Sequence, residues 1–255
     1  MLLVWDCGNT QVVAGVYEGA RLVCHWRLSS DGRRTEDEYM ALLTSLLASQ
    51  GLDWREIQEM AVCSVVPDVE WVLKQLARKH LRLEPLCLSS ETDSGIAILL
   101  DNPSELGPDR IANAVAAHQL YGGELIVVDF GTATTFDCVT SQGEYLGGAI
   151  VPGIEISRQA LFSRAARLSS IPVEKPRCAI GRSTAEGLQS GLMWGYGGQV
   201  DGLTRKLGAE MPGPPAVIAT GGYAALIAPY SETIGRVEPM LTLDGLRLVY
   251  ERVRG

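Results

Sequence analysis

The sequence predicts an α/β chain made of two similar halves, each a mixed β-sheet with flanking helices. Two observations carry this reading. An apolar run that ends in an Asp-x-Gly turn occurs twice at half-chain spacing. Apolar runs of strand length also alternate with helical periodicity along the chain.

The first copy is Leu2-Leu3-Val4-Trp5-Asp6-Cys7-Gly8-Asn9-Thr10, and the second is Leu125-Ile126-Val127-Val128-Asp129-Phe130-Gly131-Thr132-Ala133-Thr134. Asp6 and Asp129 stand 123 residues apart in a chain of 255. Each run is followed by a second apolar stretch (Gln11 to Tyr17, Thr135 to Val139) and then by a polar turn with Gly. Each unit therefore reads as a β-hairpin whose turn carries Asp, Gly and hydroxyl residues. The repetition predicts duplicated domains facing each other, 1–122 and 123–255, with the boundary near Gly122-Gly123.

Arg34 to Ser49 reads as a helix, with Tyr39, Leu42, Leu43, Leu46 and Leu47 on one face. Ala61 to Val66 reads as a buried strand ended by Pro67, and Val69 to His80 as a second helix. Asn102-Pro103 marks a turn. Pro108, suited to a first helical turn, opens a helix to Leu120. After the second hairpin come a Gly-rich bend (Gly147-Gly148, Pro152-Gly153), helices from Ile154 and Ser183, and a strand Ala216 to Ala219 ending in Thr220-Gly221-Gly222.

Composition narrows the class. At 46% hydrophobic and 20% charged residues the chain can bury a core. Its net charge of −8 disfavours nucleic acid as a partner. The six cysteines form no C-x-x-C and have no histidine at zinc spacing, and most lie in apolar stretches, which points to a reduced, cytoplasmic setting. His25, His80 and His118 are isolated, and the tryptophans read as core or interface. Leu2 to Trp5 is too short for a signal-peptide core, and no segment has the length of a membrane helix.

The motifs suit a phosphate ligand. A phosphate tail needs backbone N–H donors at close approach, which Gly permits and Asn or Thr augments. An Asp beside the turn can hold a cation against the phosphate charge. The turns after Asp6 and Asp129 supply these parts, although Asp-x-Gly also serves plain hairpins. Neither a P-loop nor a dinucleotide G-x-G-x-x-G is present. Thr220-Gly221-Gly222 is a third Gly element, suited to an adenine face. In Gly107-Pro108-Asp109-Arg110, Asp109 falls in a first helical turn, whose dipole should keep it ionised and able to accept a hydroxyl proton. Arg110 is a fork for carboxylate or phosphate. Simple helix capping with an exposed Arg is the alternative.

These pieces, with Arg34-Thr35-x-Asp37-Glu38-Tyr39 and Ser64-Val65-Val66-Pro67, occur in the order seen in type III pantothenate kinases. The chain resembles that family over nearly its whole length. The resemblance implies an actin-like fold, that of acetate and sugar kinases, Hsp70 and actin (ribonuclease H-like), and a homodimer. It implies transfer of the ATP γ-phosphate to the pantothenate hydroxyl, giving 4′-phosphopantothenate, the first step towards coenzyme A. It assigns ATP binding to Asp6, Cys7, Gly8, Asn9, Thr10, Gln11, Val12, Val13 and Thr132. It assigns pantothenate contacts to Gly107, Pro108, Asp109, Arg110 and Thr184, with Asp109 as base. Asp129 matches the position of a monovalent cation, K⁺ or NH₄⁺, and Mg²⁺ should accompany ATP. Pro108, Leu100 and Cys7 depart from the family's more usual Ala, aromatic and aliphatic residues. Other readings are another actin-like small-molecule kinase, or a non-catalytic nucleotide-binding regulator resembling the Bvg accessory factors.

Overall fold

Both expected hairpins form, and each provides the middle strands of its own sheet. The computed structural model describes residues 1–164 and 171–255. In chain order the first elements are β1 (Leu2–Cys7), β2 (Gln11–Glu18), β3 (Arg21–Ser29), α1 (Glu36–Ser49), β4 (Glu59–Ser64), α2 (Pro67–Leu76), β5 (Leu86–Cys87), β6 (Ala97–Ile98) and α3 (Pro108–Tyr121). There follow β7 (Leu125–Phe130), β8 (Ala133–Val139), β9 (Glu144–Pro152), α4 (Ile154–Arg164), α5 (Thr184–Gly208), β10 (Ala216–Gly221), α6 (Ala224–Ile227), β11 (Ile234–Val237) and α7 (Leu241–Arg254).

The two sheets repeat one topology. The first runs β3-β2-β1-β4-β5; the second runs β9-β8-β7-β10-β11, with β6 added outside β9. In each, the strand that ends in Asp-x-Gly is antiparallel to its hairpin partner and parallel to the strand on its other side.

Two compact units result: Met1–Ile96 with Asp101–Ala116 and Leu241–Gly255, and Ala97–Leu100 with Ala117–Met240. This division differs from a single cut at Gly122-Gly123, because α7 belongs to the first unit. One face of α7 (Leu241, Leu243, Leu246, Val249) is buried, and the helix packs on β1, β2 and β4. Gly245 admits the α3 backbone: a Cβ there would stand 1.9 Å from the Ala112 carbonyl oxygen.

In the first unit, Leu3, Trp5 and Cys7 of β1 pack with Tyr39, Leu43 and Leu47 of α1 and Val69, Leu73 and Leu76 of α2. Full burial of a leucine contributes roughly 1.5–3 kcal/mol. α1 starts as its sequence indicates. Thr35 and Glu38 cap each other, with Thr35 N–H donating to Glu38 Oε2 at 2.8 Å and Glu38 N–H to Thr35 Oγ1 at 3.4 Å. In the second unit, Ile126, Val128, Phe130, Phe136 and Cys138 pack against Ile154, Met193, Val200 and Ile227.

Several expectations are corrected. β3, β5, β6, β11 and α7 were not anticipated. The second helix runs from Pro67 to Leu76 and continues as a π-helical turn over Ala77–Leu81, so it covers the expected end at His80 and only its start lies earlier. Gly147 and Gly148 lie inside β9, not at a bend. They pair with Cys138 and Asp137 of β8, and the next step is a bulge that skips Leu146 between Cys138 and Val139, beside Gly147 at φ +123°.

Candidate active site

In the first unit, β1 ends at Cys7, and Gly8 N–H closes the turn on the Gln11 carbonyl at 2.9 Å. Asp6 pairs with Val13 across the hairpin and is half-buried. Asn9, Thr10 and Gln11 are exposed, as a loop that meets a soluble ligand requires. Ser30 N–H donates to the Thr10 carbonyl at 3.1 Å and ties the end of β3 to the turn. Cys7 and Val12 point their side chains into the core, so only their backbone can serve a ligand. Burial pushes the Cys7 thiol well above its ordinary pKa, and the Asp6 charge adds to this. A thiol held neutral in that way is no nucleophile.

The sequence Gly107-Pro108-Asp109-Arg110 forms the entry to α3 as expected. The Gly107 carbonyl accepts from Arg110 N–H at 3.1 Å and Ile111 N–H at 3.2 Å. Asp109 folds back over this turn, and its Oδ1 accepts from Arg110 N–H at 2.9 Å. Burial, as well as the helix start, acts on this carboxylate. Burial is the largest influence and raises the Asp109 pKa above the usual carboxylate value, against the Arg110 N–H and guanidinium, which lower it. Asp6 and Asp109 occupy one electrostatic neighbourhood: both charges raise the pKa of the Cys63 thiol, after burial, its largest cause. Arg110 is half-buried.

The second unit repeats the turn in shortened form. Asp129 pairs with Thr135, so its loop is one residue shorter than the loop between Asp6 and Val13. Asp129 is half-buried, and Gly131 and Thr132 are exposed. Two further backbone segments close on this turn. A Cβ at Gly153 would stand 2.3 Å from the Thr132 carbonyl oxygen. Gly221, at φ +89°, lies where a Cβ would stand 2.4 Å from Asp129 Oδ1. The Thr220-Gly221 element expected to face adenine thus also makes room for the Asp129 carboxylate. Thr184 is exposed in the first turn of α5, which Ser183 caps by accepting from Glu186 N–H at 3.2 Å.

Among the described residues, no group of three or more His, Cys, Asp or Glu side chains could hold a metal ion, and no helix is long and apolar enough to cross a membrane. The donor set fits a cation held by one carboxylate with phosphate and water oxygens, the usual habit of Mg²⁺.

The sequence model of the type III pantothenate kinase family matches residues 2–206. A type III pantothenate kinase of Moorella thermoacetica is 50% identical over 252 residues, covering 99% of both chains. One from Geobacter sulfurreducens is 48% identical over 254 residues, covering 100% of both. Among solved structures, a protein of Campylobacter jejuni described as a Baf family transcriptional activator aligns over 98% of both chains, with a TM-score of 0.63 at 19% identity. The activator of 2-hydroxyisocaproyl-CoA dehydratase from Clostridium difficile, solved with bound ADPNP, aligns over 99% of this chain and 93% of its own, with a TM-score of 0.58 at 12% identity. The structural likenesses show the fold, which is actin-like.

Proposed function

Because the chain belongs to the type III pantothenate kinase family, we propose that Asp109 is the base of its reaction and that the turns after Asp6 and Asp129 receive the ATP phosphates. The enzyme phosphorylates the pantothenate hydroxyl, the first step of coenzyme A biosynthesis.

The observation that carries the base assignment is the half-buried carboxylate of Asp109, folded back over the start of α3. A raised pKa brings a carboxylate nearer the operating pH, which strengthens it as a base. The hydroxyl oxygen of pantothenate attacks the γ-phosphorus, the bond to the β,γ-bridging oxygen breaks, and ADP leaves. The hydroxyl proton passes to an Asp109 carboxylate oxygen. Phosphoryl transfer has a loose transition state, so the proton moves late and Asp109 also orients the hydroxyl. Gly107, Pro108 and Thr184 line the substrate, and the Arg110 fork suits its carboxylate.

Asp6 to Val13 and Thr132 bind ATP, largely through backbone N–H groups. Mg²⁺ supplies charge neutralisation on the phosphates, with Asp6 as a suitable carboxylate donor. Asp129 holds a monovalent cation, K⁺ or NH₄⁺. The close approach of Gly221, which fixes where the Asp129 carboxylate lies, supports this reading.

The enzyme works as a homodimer. On α5, Gly187, Gly191, Gly195, Gly198 and Gly202 recur at helical spacing, and a Cβ at any of them would meet nothing within 4 Å among the described residues. Each interior glycine weakens a helix by roughly 0.5–1 kcal/mol, so a bare face of this length favours close approach of another chain. The buried free cysteines support a cytoplasmic location, and the net charge of −8 disfavours nucleic acid as a partner.

A coupled assay for ADP release tests the assignment. Release that depends on pantothenate, with Mg-ATP and potassium or ammonium present, is expected. Absence of pantothenate-dependent release in those salts contradicts it.

A further inference from the structure

Asp137 is a fully buried carboxylate to which the mechanism gives no task. It sits on β8 two residues beyond Thr135, on the face that Asp129 shares, since Asp129 pairs with Thr135 and Val127 with Asp137. Thr135 Oγ1 donates to Asp137 Oδ2 at 3.1 Å. Tyr145 Oη, also fully buried, donates to Asp137 Oδ1 at 2.5 Å. A buried carboxylate is expensive, and two donors aimed at it make a fixed element.

The bulge in β9 creates this arrangement. Asp137 pairs with Gly148 and Cys138 with Gly147, so regular pairing would set Val139 against Leu146. Val139 instead pairs with Tyr145. A shift of one residue exchanges the two faces of a strand, so the bulge at Gly147 turns Tyr145 onto the Asp137 face. Gly147 achieves it at φ +123°, a conformation open to glycine.

The consequence falls on Thr135. Its hydroxyl has one proton, committed to Asp137, and its oxygen retains lone pairs. That oxygen belongs to the residue directly opposite Asp129, where paired Cβ atoms lie about 4.5–5.5 Å apart. We propose that Thr135 Oγ1 is a second oxygen ligand of the monovalent cation at Asp129, held in place by Asp137 and Tyr145 as positioning residues. A hydroxyl lone pair serves K⁺ by coordination and NH₄⁺ by accepting an N–H, which suits a site open to both. The proposal rests on the reading of Asp129 as the cation position.

The test uses the full-length enzyme with Mg-ATP, varying KCl against choline chloride at fixed ionic strength. Two quantities are read: the K⁺-dependent rise in Tm and the K⁺ concentration for half-maximal turnover. Thr135→Val should shrink the Tm rise and raise the half-activating concentration about 10–100-fold, the span for perturbed metal shells. Thr135→Ser should restore both, because it keeps the oxygen. Tyr145→Phe should fall between, with turnover recovering at high K⁺. A normal K⁺ response in Thr135→Val beside a lost one in Asp129→Asn overturns this proposal and leaves Asp129 in place. A normal response in Asp129→Asn, or none in the wild type, overturns both. Should Thr135→Val fail to fold, Tyr145→Phe decides: an unchanged K⁺ response overturns the positioning relay.

Discussion

Gly107 lies where any side chain would strike Asp109: a Cβ at Gly107 would stand 2.5 Å from Asp109 Oδ1. The close approach lets the carboxylate fold back over the first turn of α3. Gly107→Ala should therefore displace the carboxylate more than the backbone, since a carboxylate can rotate away. We expect little change in Tm and a fall in turnover of about 10²-fold, the scale of a misplaced catalytic group. ADP-release kinetics beside thermal unfolding checks this; unchanged turnover would detach Gly107 from the reaction.

The raised pKa of Asp109 gives two pH effects of opposite sign. Its proton-accepting form is lost, as pH falls, at a higher pH than for a surface Asp, so turnover should show an acid limb that Asp109→Asn lacks. Stability runs the other way. A carboxyl whose folded pKa exceeds its unfolded pKa contributes stability fully below the unfolded value and loses it as pH rises through the folded value. Asp109→Asn should thus match or exceed the wild type in Tm near pH 7.5, with the difference shrinking towards acid pH. Tm measured across that range decides it; a variant losing stability at neutral pH would reverse the sign.

Much of this site was legible in the sequence because its turns are short and local. The Asp-x-Gly hairpins after Asp6 and Asp129 and the helix entry at Pro108 are set by neighbours a few residues away. The opposing effect of burial on Asp109 was not legible, because burial is a tertiary property whereas the helix dipole is local. Leu22, Cys24, Trp26 and Leu28 alternate along β3, a period-two signal that could have revealed the strand. Leu243, Leu246 and Val249, three residues apart, marked α7 by helical spacing, but its place in the first unit depends on long-range packing. Gly147-Gly148 reads as a bend from composition, and only the pairing with β8 turns it into a bulge.

Gly221→Ala tests the space beside Asp129. The added methyl meets Asp129 Oδ1 at 2.4 Å and the Phe130 backbone at 2.7 Å, at φ +89°. The left-handed conformation alone costs about 1–2 kcal/mol for a residue with a side chain. Both Tm and K⁺ activation should fall, and a variant with reduced Tm but intact K⁺ activation would separate Gly221 from the cation position.

The bare face of α5 predicts that Gly191→Leu with Gly195→Leu breaks the proposed dimer. Light scattering should give two 27.5 kDa chains for the wild type and one for the variant. Gly→Leu raises helix propensity, so failure to assemble could not be blamed on a weakened helix. A dimeric variant would move the interface elsewhere, and a monomeric wild type would remove the dimer.

The most direct test of the account pairs two measurements on one preparation of Asp109→Asn: ATP affinity by calorimetry and pantothenate-dependent turnover by ADP release. The account predicts near-wild-type ATP affinity, because the proposed nucleotide contacts lie in the Asp6 and Asp129 turns and not at Asp109. It predicts turnover reduced about 10²–10⁴-fold, the span for loss of a general base. Near-wild-type turnover would remove Asp109 from the mechanism, and loss of ATP binding would move it into the nucleotide site.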